Sequence, residues 1–349
     1  MNDFSVRRAK YFFDLYYSSH SSFRIPELKQ RELAFSFFDK TGMARHTSFQ
    51  SMGELADFIR TNTPLHFYYS SAYYGNPSAE MDFKEWKGAD LIFDIDGDHI
   101  PNADKMTYGE MLGAVKNELM KLLFLLRDDF RINDDSMEIV FSGSRGYHVH
   151  VYSIFNDLGS QERREIVDYI TGKCLLPDYG LKKMTAWSQR IESEKESMLS
   201  KIRKAKKWKE EFEKMTGRNI PDLEKKNDSR IEGAVESAAK LRVNSKFSPL
   251  IDEPVTIDIH RLIRTPGGIH GKSGLMVMDV DPKKIDTFEP LIEAIPEEFK
   301  EIKERINVIR KSKVELGGEI IELSEGTQVL PLYGSIFLVL KGNAEFSEK

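Results

Sequence analysis

DLIFDIDGDH, residues 90–99, carries an apolar run, Leu91-Ile92-Phe93, straight into aspartates at alternate positions, Asp94, Asp96 and Asp98. Successive side chains of an extended segment point to opposite faces, so the three carboxylates share one side and repel one another unless a cation or water intervenes. The tract reads as a buried strand that delivers negative charge at its end. Outward from it, residues 110–130 form a helix that is apolar nearly all round, and MEIVFSG (137–143) is a strand. GYHVHVYS (146–153) is a further strand after a tight turn, and GSQERREIVDYITGK (159–173) is a helix. The order β-α-β-β-α belongs to an α+β fold with helices covering a sheet face, and the short turn makes the last two strands an antiparallel hairpin.

The flanks supply more elements. Residues 3–18 read as an amphipathic helix, and SMGELADFIRT (51–61) as another, with Ser51 and Glu54 spaced as a capping box. MARHTSF (43–49) is a short strand, and LHFYYSSAYYG (65–75) is rich in β-formers. Residues 182–247 change character: SEKESMLSKIRKAKKWKEEFEKM and RIEGAVESAAKLRV are highly charged helices joined through TGRNIPD, a helical insertion rather than core. From Pro254 β character is expected again in PVTIDI, GLMVMDV, KVELGGEIIEL and SIFLVLKG. The catalytic body is therefore expected to be discontinuous, 1–181 with 248–349, around the insertion.

Composition narrows the function. With 349 residues there is enough chain for a sizeable core, and 31% charged residues imply a heavily charged surface. No apolar run approaches membrane-spanning length. One cysteine, Cys174, excludes an intrachain disulfide, a multi-cysteine metal site and an Fe–S cluster. The opening MNDFSVRRAKYFFDLYYSSH offers no cleavable signal, so a cytoplasmic, nucleoid-associated location is expected. A net charge of −5 gives no global basic footprint, so any nucleic-acid contact is local. The run Lys201, Arg203, Lys204, Lys206, Lys207 and Lys209 is better read as a solvated face balanced by glutamates than as such a patch.

Two motif readings fail. DIDGD is not a calcium-binding EF-hand loop, because Gly97 is misplaced, the twelfth position is Lys105 rather than glutamate, and a strand precedes it. GKSG (271–274) is not a phosphate-binding P-loop, because Pro266 stands where glycine is required and a strand follows. FSGSRGYHVHV (141–151) is stronger. Gly143 and Gly146 let backbone approach a ligand, Arg145 brings a fork suited to phosphate oxygens, and His148 and His150 share a strand face near Ser142. DEPVTIDIHRLIRTPGGIHGKSG (252–274) adds carboxylates at Asp252, Glu253 and Asp258, then Arg261, Arg264, His270 and Lys272 around a TPGG loop. Carboxylates hold divalent metal and cations cover phosphate charge, which is what nucleotide chemistry requires.

Together, DLIFDID, SGSRGYHVHV and DEPVTIDIHRLIRTPGGIHGKSGL, in this order, resemble the small catalytic subunit of archaeal and eukaryotic DNA primase, with the archaeal branch nearer. HFYYSSAYY and LPLYGSIFLVLKGNAE extend the resemblance over nearly the whole chain. It implies a primase-polymerase core with a mixed or antiparallel sheet flanked by helices. Asp94 and Asp96 match its D-x-D metal ligands, and Asp252, twelve before Arg264 and eighteen before His270, matches its third catalytic carboxylate. Ser142, Arg145 and His148 match nucleotide contacts, and Arg264, His270 and Lys272 match triphosphate-binding residues; Asp98 and His150 have no counterpart. The implied reaction is template-directed nucleotidyl transfer from NTPs or dNTPs with two Mg²⁺ or Mn²⁺ ions, making short primers de novo on single-stranded DNA. The implied partner is a primase large subunit with its own Fe–S domain.

One departure stands out. HIPNADKMTYGEMLGAVK lacks the Cys/His zinc knuckle usual after the D-x-D in archaeal members, so no structural zinc is expected, and residues 101–112 should run as a short connection into a helix at 113–130. Three alternatives use parts of the same pattern. A primase-polymerase acting mainly in repair or extension shares the whole site. A metal-dependent nuclease would cluster carboxylates without four cationic residues placed for a triphosphate, and a non-catalytic nucleic-acid module would not need the D-x-D.

Overall fold

In the computed structural model, residues 1–20, 23–175, 185–219 and 228–347 are described. The D-x-D tract forms the strand Leu91–Asp96 at the edge of a four-stranded sheet. The order across this sheet is Met278–Val280, Met137–Phe141, Gly146–Val151 and Leu91–Asp96, all antiparallel. The hairpin expected from the SGSRG turn is its centre. Register sets Asp94 opposite His148 and Asp96 opposite Gly146. Asp98 falls past the strand, in the one-turn helix Gly97–His99, so only two of the three alternate aspartates are strand residues.

A second four-stranded sheet, Ala44–Thr47, Leu33–Ser36, His66–Ser70 and Leu262–Arg264, brings in Arg264 from far along the chain. Its core is aromatic: Phe35, Phe67 and Tyr69 are buried with Phe12, Phe13, Tyr16 and Tyr17 of the helix Asp3–Ser19 and Ile336 of the helix Leu332–Leu340. The chain divides into two compact units. One comprises Met1–Lys116, Asn133–Arg163 and Ile251–Lys349, the other Asn117–Ile132 with Arg164–Leu250.

The α+β reading stands, with local corrections. PVTIDI is not β: its first four residues lie in the helix Glu253–Ile257, which Pro254 opens at a first-turn position where its missing N–H costs nothing. SIFLVLKG is not β either. Its apolar run belongs to the helix Leu332–Leu340, buried almost all round, and such a helix has no polar face to reveal its period. KVELGGEIIEL is the hairpin Ser312–Leu316 and Glu319–Leu323, as expected, turning at Gly317 and Gly318, both with positive φ. A three-stranded sheet of Gly326–Pro331, Lys303–Val308 and Ala344–Phe346 had no sequence expectation.

The capping box at 51–54 is half realised. Ser51 accepts from the Glu54 N–H, but Glu54 reaches back to the Gln50 N–H instead of Ser51. The long helix begins earlier than expected, at Tyr108, after short turns at Gly97–His99 and Ala103–Lys105. Thr107 and Glu110 form its reciprocal cap: the Thr107 N–H donates to Glu110 at 2.8 Å and the Glu110 N–H to Thr107 Oγ1 at 3.3 Å. In the insertion, the continuous helix expected over 193–215 is two, Ala186–Lys204 and Trp208–Thr216. Ile202 and Phe212 would sit roughly 80° apart around one straight helix; with the break, both are buried. The expected boundary at 182 and the second half of TGRNIPD lie outside the described residues.

Candidate active site

The strand Leu91–Asp96 carries Asp94 and Asp96 to the rim of a cavity of about 500 Å³. Ser142, Arg145 and His148 enter it from the central hairpin, Arg264 from the end of the strand Leu262–Arg264, and His270 and Lys272 from the segment after that strand. Asp252 is the exception: it does not line the cavity. Its backbone N–H donates to the Asp94 carbonyl at 2.8 Å, and its charge is felt at Asp94.

Two glycines make this convergence possible. A Cβ on Gly146 would fall 2.2 Å from the Ile95 carbonyl oxygen, so the hairpin strand lies against the D-x-D strand only because nothing projects there. Gly143 has φ +79°, and a Cβ there would meet the His270 Cβ at 2.7 Å. The SGSRG turn thereby packs directly on the His270 loop. Ser142 Oγ accepts from the Gly146 N–H at 3.2 Å, so part of its work is to close this turn.

Burial pushes the Asp94 carboxyl up to about 7, with the charges of Asp96 and Asp252 adding to it and Arg261 and Arg264 opposing. His148 Nε2 is 3.7 Å from Asp94 Oδ1. The site's histidines are kept neutral. His148 and His270 are held well below the ordinary imidazole value by burial and then by neighbouring positive groups, and His66 is pushed down to about 3 by burial, Arg264 and Lys272. The Gly271 N–H donates to His66 Nδ1 at 3.2 Å and the Lys272 N–H to His270 Nδ1 at 3.1 Å, so each neutral ring carries its proton on Nε2.

Arg145, expected from the motif to contact phosphate, is paired with carboxylates in this structure. Its two terminal nitrogens grip Asp98 at 2.6 and 2.5 Å, and one lies 3.3 Å from Asp96. The other cations are open. Arg264 donates to His66 Nδ1 and to the Tyr68 hydroxyl, both at 2.9 Å, neither of them a charge partner. Among the described residues, Arg261, Arg264, Lys272 and Lys341, all on the cavity wall, have no carboxylate in ion-pair contact.

Sequence reading had not placed His66, Tyr68 or Lys341 in the site, and had noted Arg261 without a role. His66 and Tyr68 are two apart on one strand, hence on one face, but HFYYSSAYY gives β propensity and a family resemblance without assigning either residue a role. Lys341 ends an otherwise apolar run, a signal that is legible only once that run is a helix. No three His, Cys, Asp or Glu side chains among the described residues are already gathered in a ligating arrangement.

Residues 93–282 match the family model described as DNA primase small subunit. Archaeal proteins named DNA primase small subunit PriS are similar over nearly the full length. That of Picrophilus torridus is 38% identical, covering 97% of this chain and 97% of the relative. That of Thermoplasma volcanium is 40% identical over 99% of each chain. That of Methanocella arvoryzae is 37% identical, covering 99% of this chain and 100% of the relative.

Proposed function

The chain belongs to the DNA primase small-subunit family, and from that premise we propose that the Asp94 cavity binds an incoming nucleoside triphosphate beside divalent metal held by Asp94, Asp96 and Asp252. The chain is a DNA primase, a DNA-directed nucleotidyltransferase of replication. One observation supports the nucleotide reading above the rest: on the wall of a cavity that also holds two aspartates stand four cations with no carboxylate in ion-pair contact among the described residues. A triphosphate with divalent metal would satisfy both sets of charge: the cations would take up its oxygens, and Asp94 and Asp96 would hold the metal.

The carboxylates suit such a metal. Asp94 is raised because it is buried beside two further carboxylates, and hard oxygen donors select Mg²⁺ or Mn²⁺ over softer ions. When bound, the ions would supply Lewis acidity at the phosphoryl group and a more acidic attacking hydroxyl. The chain's own residues bind and orient. Arg264 and Lys272 attract the phosphate oxygens, and the protonated Nε2 of neutral His270 adds a donor without further charge. Arg264 is itself held in place by His66 and Tyr68. In the transfer, a 3′-oxygen forms a bond to the α-phosphorus, the bond from that phosphorus to the β-phosphate bridging oxygen breaks, and pyrophosphate leaves. Priming requires the first acceptor to be a nucleotide on single-stranded template.

The relatives' names designate a small subunit, so we infer a larger partner chain, the Fe–S-bearing large subunit, and a cytoplasmic, nucleoid-associated setting. Among the described residues no helix is long and apolar enough to cross a membrane. The test is de novo synthesis on single-stranded DNA with labelled NTPs or dNTPs and Mg²⁺ or Mn²⁺, with and without the large subunit. Primers that appear only with metal support the reading; synthesis that persists in chelator overturns it.

A further inference from the structure

Lys341 follows directly on the helix Leu332–Leu340, and its ammonium lies 5.1 Å from the centroid of the Tyr108 ring and 5.4 Å from that of Phe337. Those rings pack edge to face at 5.5 Å. The Tyr108 hydroxyl donates to the Ser144 carbonyl at 2.7 Å, tying the platform to the SGSRG turn. Three segments far apart in sequence thus fix one ammonium at the cavity wall. Among the described residues it has no ion-pair partner. Burial lowers its proton affinity, and Arg145 and Lys272 lower it further, with Asp96 the only opposing charge among its main neighbours. A cation held on aromatic faces beside two like charges is an electrostatic cost that a dense anion would relieve.

Arg261, Arg264, Lys272 and Lys341 all line this one cavity. Arg261 and Arg264 are the cations felt at Asp94, whereas the groups felt at Lys341 are Arg145, Lys272 and Asp96. The α-phosphate must lie at the metal carboxylates, where bonds change. Lys341 and Lys272 are then left for the phosphates that depart. Building on the nucleotide reading above, we propose that Lys341 binds the terminal phosphates of the incoming triphosphate, the part released as pyrophosphate. An ammonium suits this role because, as a point charge, it imposes no fork geometry on a group that must later leave.

The test titrates the full chain, in Mg²⁺, with inorganic pyrophosphate, a nucleoside triphosphate and its monophosphate, and measures KM and kcat in primer synthesis. Lys341→Gln should weaken pyrophosphate and triphosphate about tenfold, the loss of one charge-assisted contact. Monophosphate binding and melting temperature should stay at wild-type values, KM should rise more than kcat falls, and Lys341→Arg should restore affinity. Should the Gln variant fail to fold, Lys341→Met keeps the stem on the two rings and repeats the measurement. Pyrophosphate binding unchanged in the folded variant, or an equal loss of mono- and triphosphate, overturns the assignment. A wild-type chain that binds none of the three overturns the nucleotide reading of the cavity itself.

Discussion

On the helices Ala186–Lys204 and Ser229–Phe247 several arginines and lysines meet carboxylates, whereas among the described residues Arg261, Arg264, Lys272 and Lys341 around the Asp94 cavity meet none. Arg190 grips Asp128 and Asp129, Arg242 reaches Glu194, and Lys240 pairs with Glu236. Even within the basic run of the insertion, Arg203 faces Glu232 and Lys207 faces Glu210. Basic residues are denser in that run than in any stretch lining the cavity. Density therefore does not mark a ligand site here. What marks it is positive charge that the fold gathers on one cavity wall beside Asp94 and Asp96, without a carboxylate in ion-pair contact among the described residues.

The comparison breaks most directly at the carboxylates. Asp94→Ala or Asp96→Ala should abolish primer synthesis while the melting temperature holds or rises, because a buried like-charge contact is removed along with a ligand. Full activity in either variant at saturating Mn²⁺ would remove the carboxylates from the site. Next comes Arg264→Ala, which should raise the NTP KM roughly ten- to a hundredfold, as expected for lost charge-assisted hydrogen bonds. Lys207→Ala on the insertion should leave KM within about twofold, since exposed pairs contribute little. Equal effects at the two positions would erase the distinction.

Arg190 sharpens it from the other side. It bonds Asp129, whose side chain is 2% exposed, and stacks on Phe124 and Phe247. Arg190→Ala should cost about 3 kcal/mol by stranding a buried carboxylate, read by chemical denaturation, with no change in nucleotide KM. The smallest effect concerns pH. His150, fully buried, is pushed down to about 4 by burial. In the unfolded chain it protonates near its ordinary value of about 6.5. Below that pH the unfolded state binds the extra proton, so this contribution to stability is complete above about 6.5 and is lost as pH falls toward about 4. His150→Phe should therefore gain stability relative to wild type as pH drops through this window. A constant difference across it would show that the imidazole already titrates normally in the fold.

How much of this was legible in the sequence depended on what kind of signal each residue carried. The strand at 91–96 and the hairpin behind Gly143 and Gly146 announced themselves through short-range pattern, alternation and turn chemistry. The helices at 253–257 and 332–340 did not, because β-rich composition and an unbroken apolar run conceal a helical period. Thr107 and Glu110 carry the reciprocal-cap spacing that marks the true start of the long helix, a signal confined to 107–110 inside an otherwise featureless connection. His66, Tyr68 and Lys341 reach the cavity through strand pairing and helix packing across hundreds of residues. Nothing local distinguishes them from any other histidine, tyrosine or lysine. The grip of Asp98 on Arg145 is likewise a fact of three-dimensional register.

The closeness of Gly146 to the Ile95 carbonyl has a consequence for how this molecule tolerates change. The strand that supplies Asp94 and Asp96 and the strand that supplies His148 are separated at that point by hydrogen atoms alone. Even alanine would wedge them apart, and the displacement would be passed to both at once. In a saturation library spanning 142–148, position 146 should return glycine and nothing else among active clones. One hydrogen in place of a methyl group serves as the gauge by which two halves of the chemistry keep their spacing.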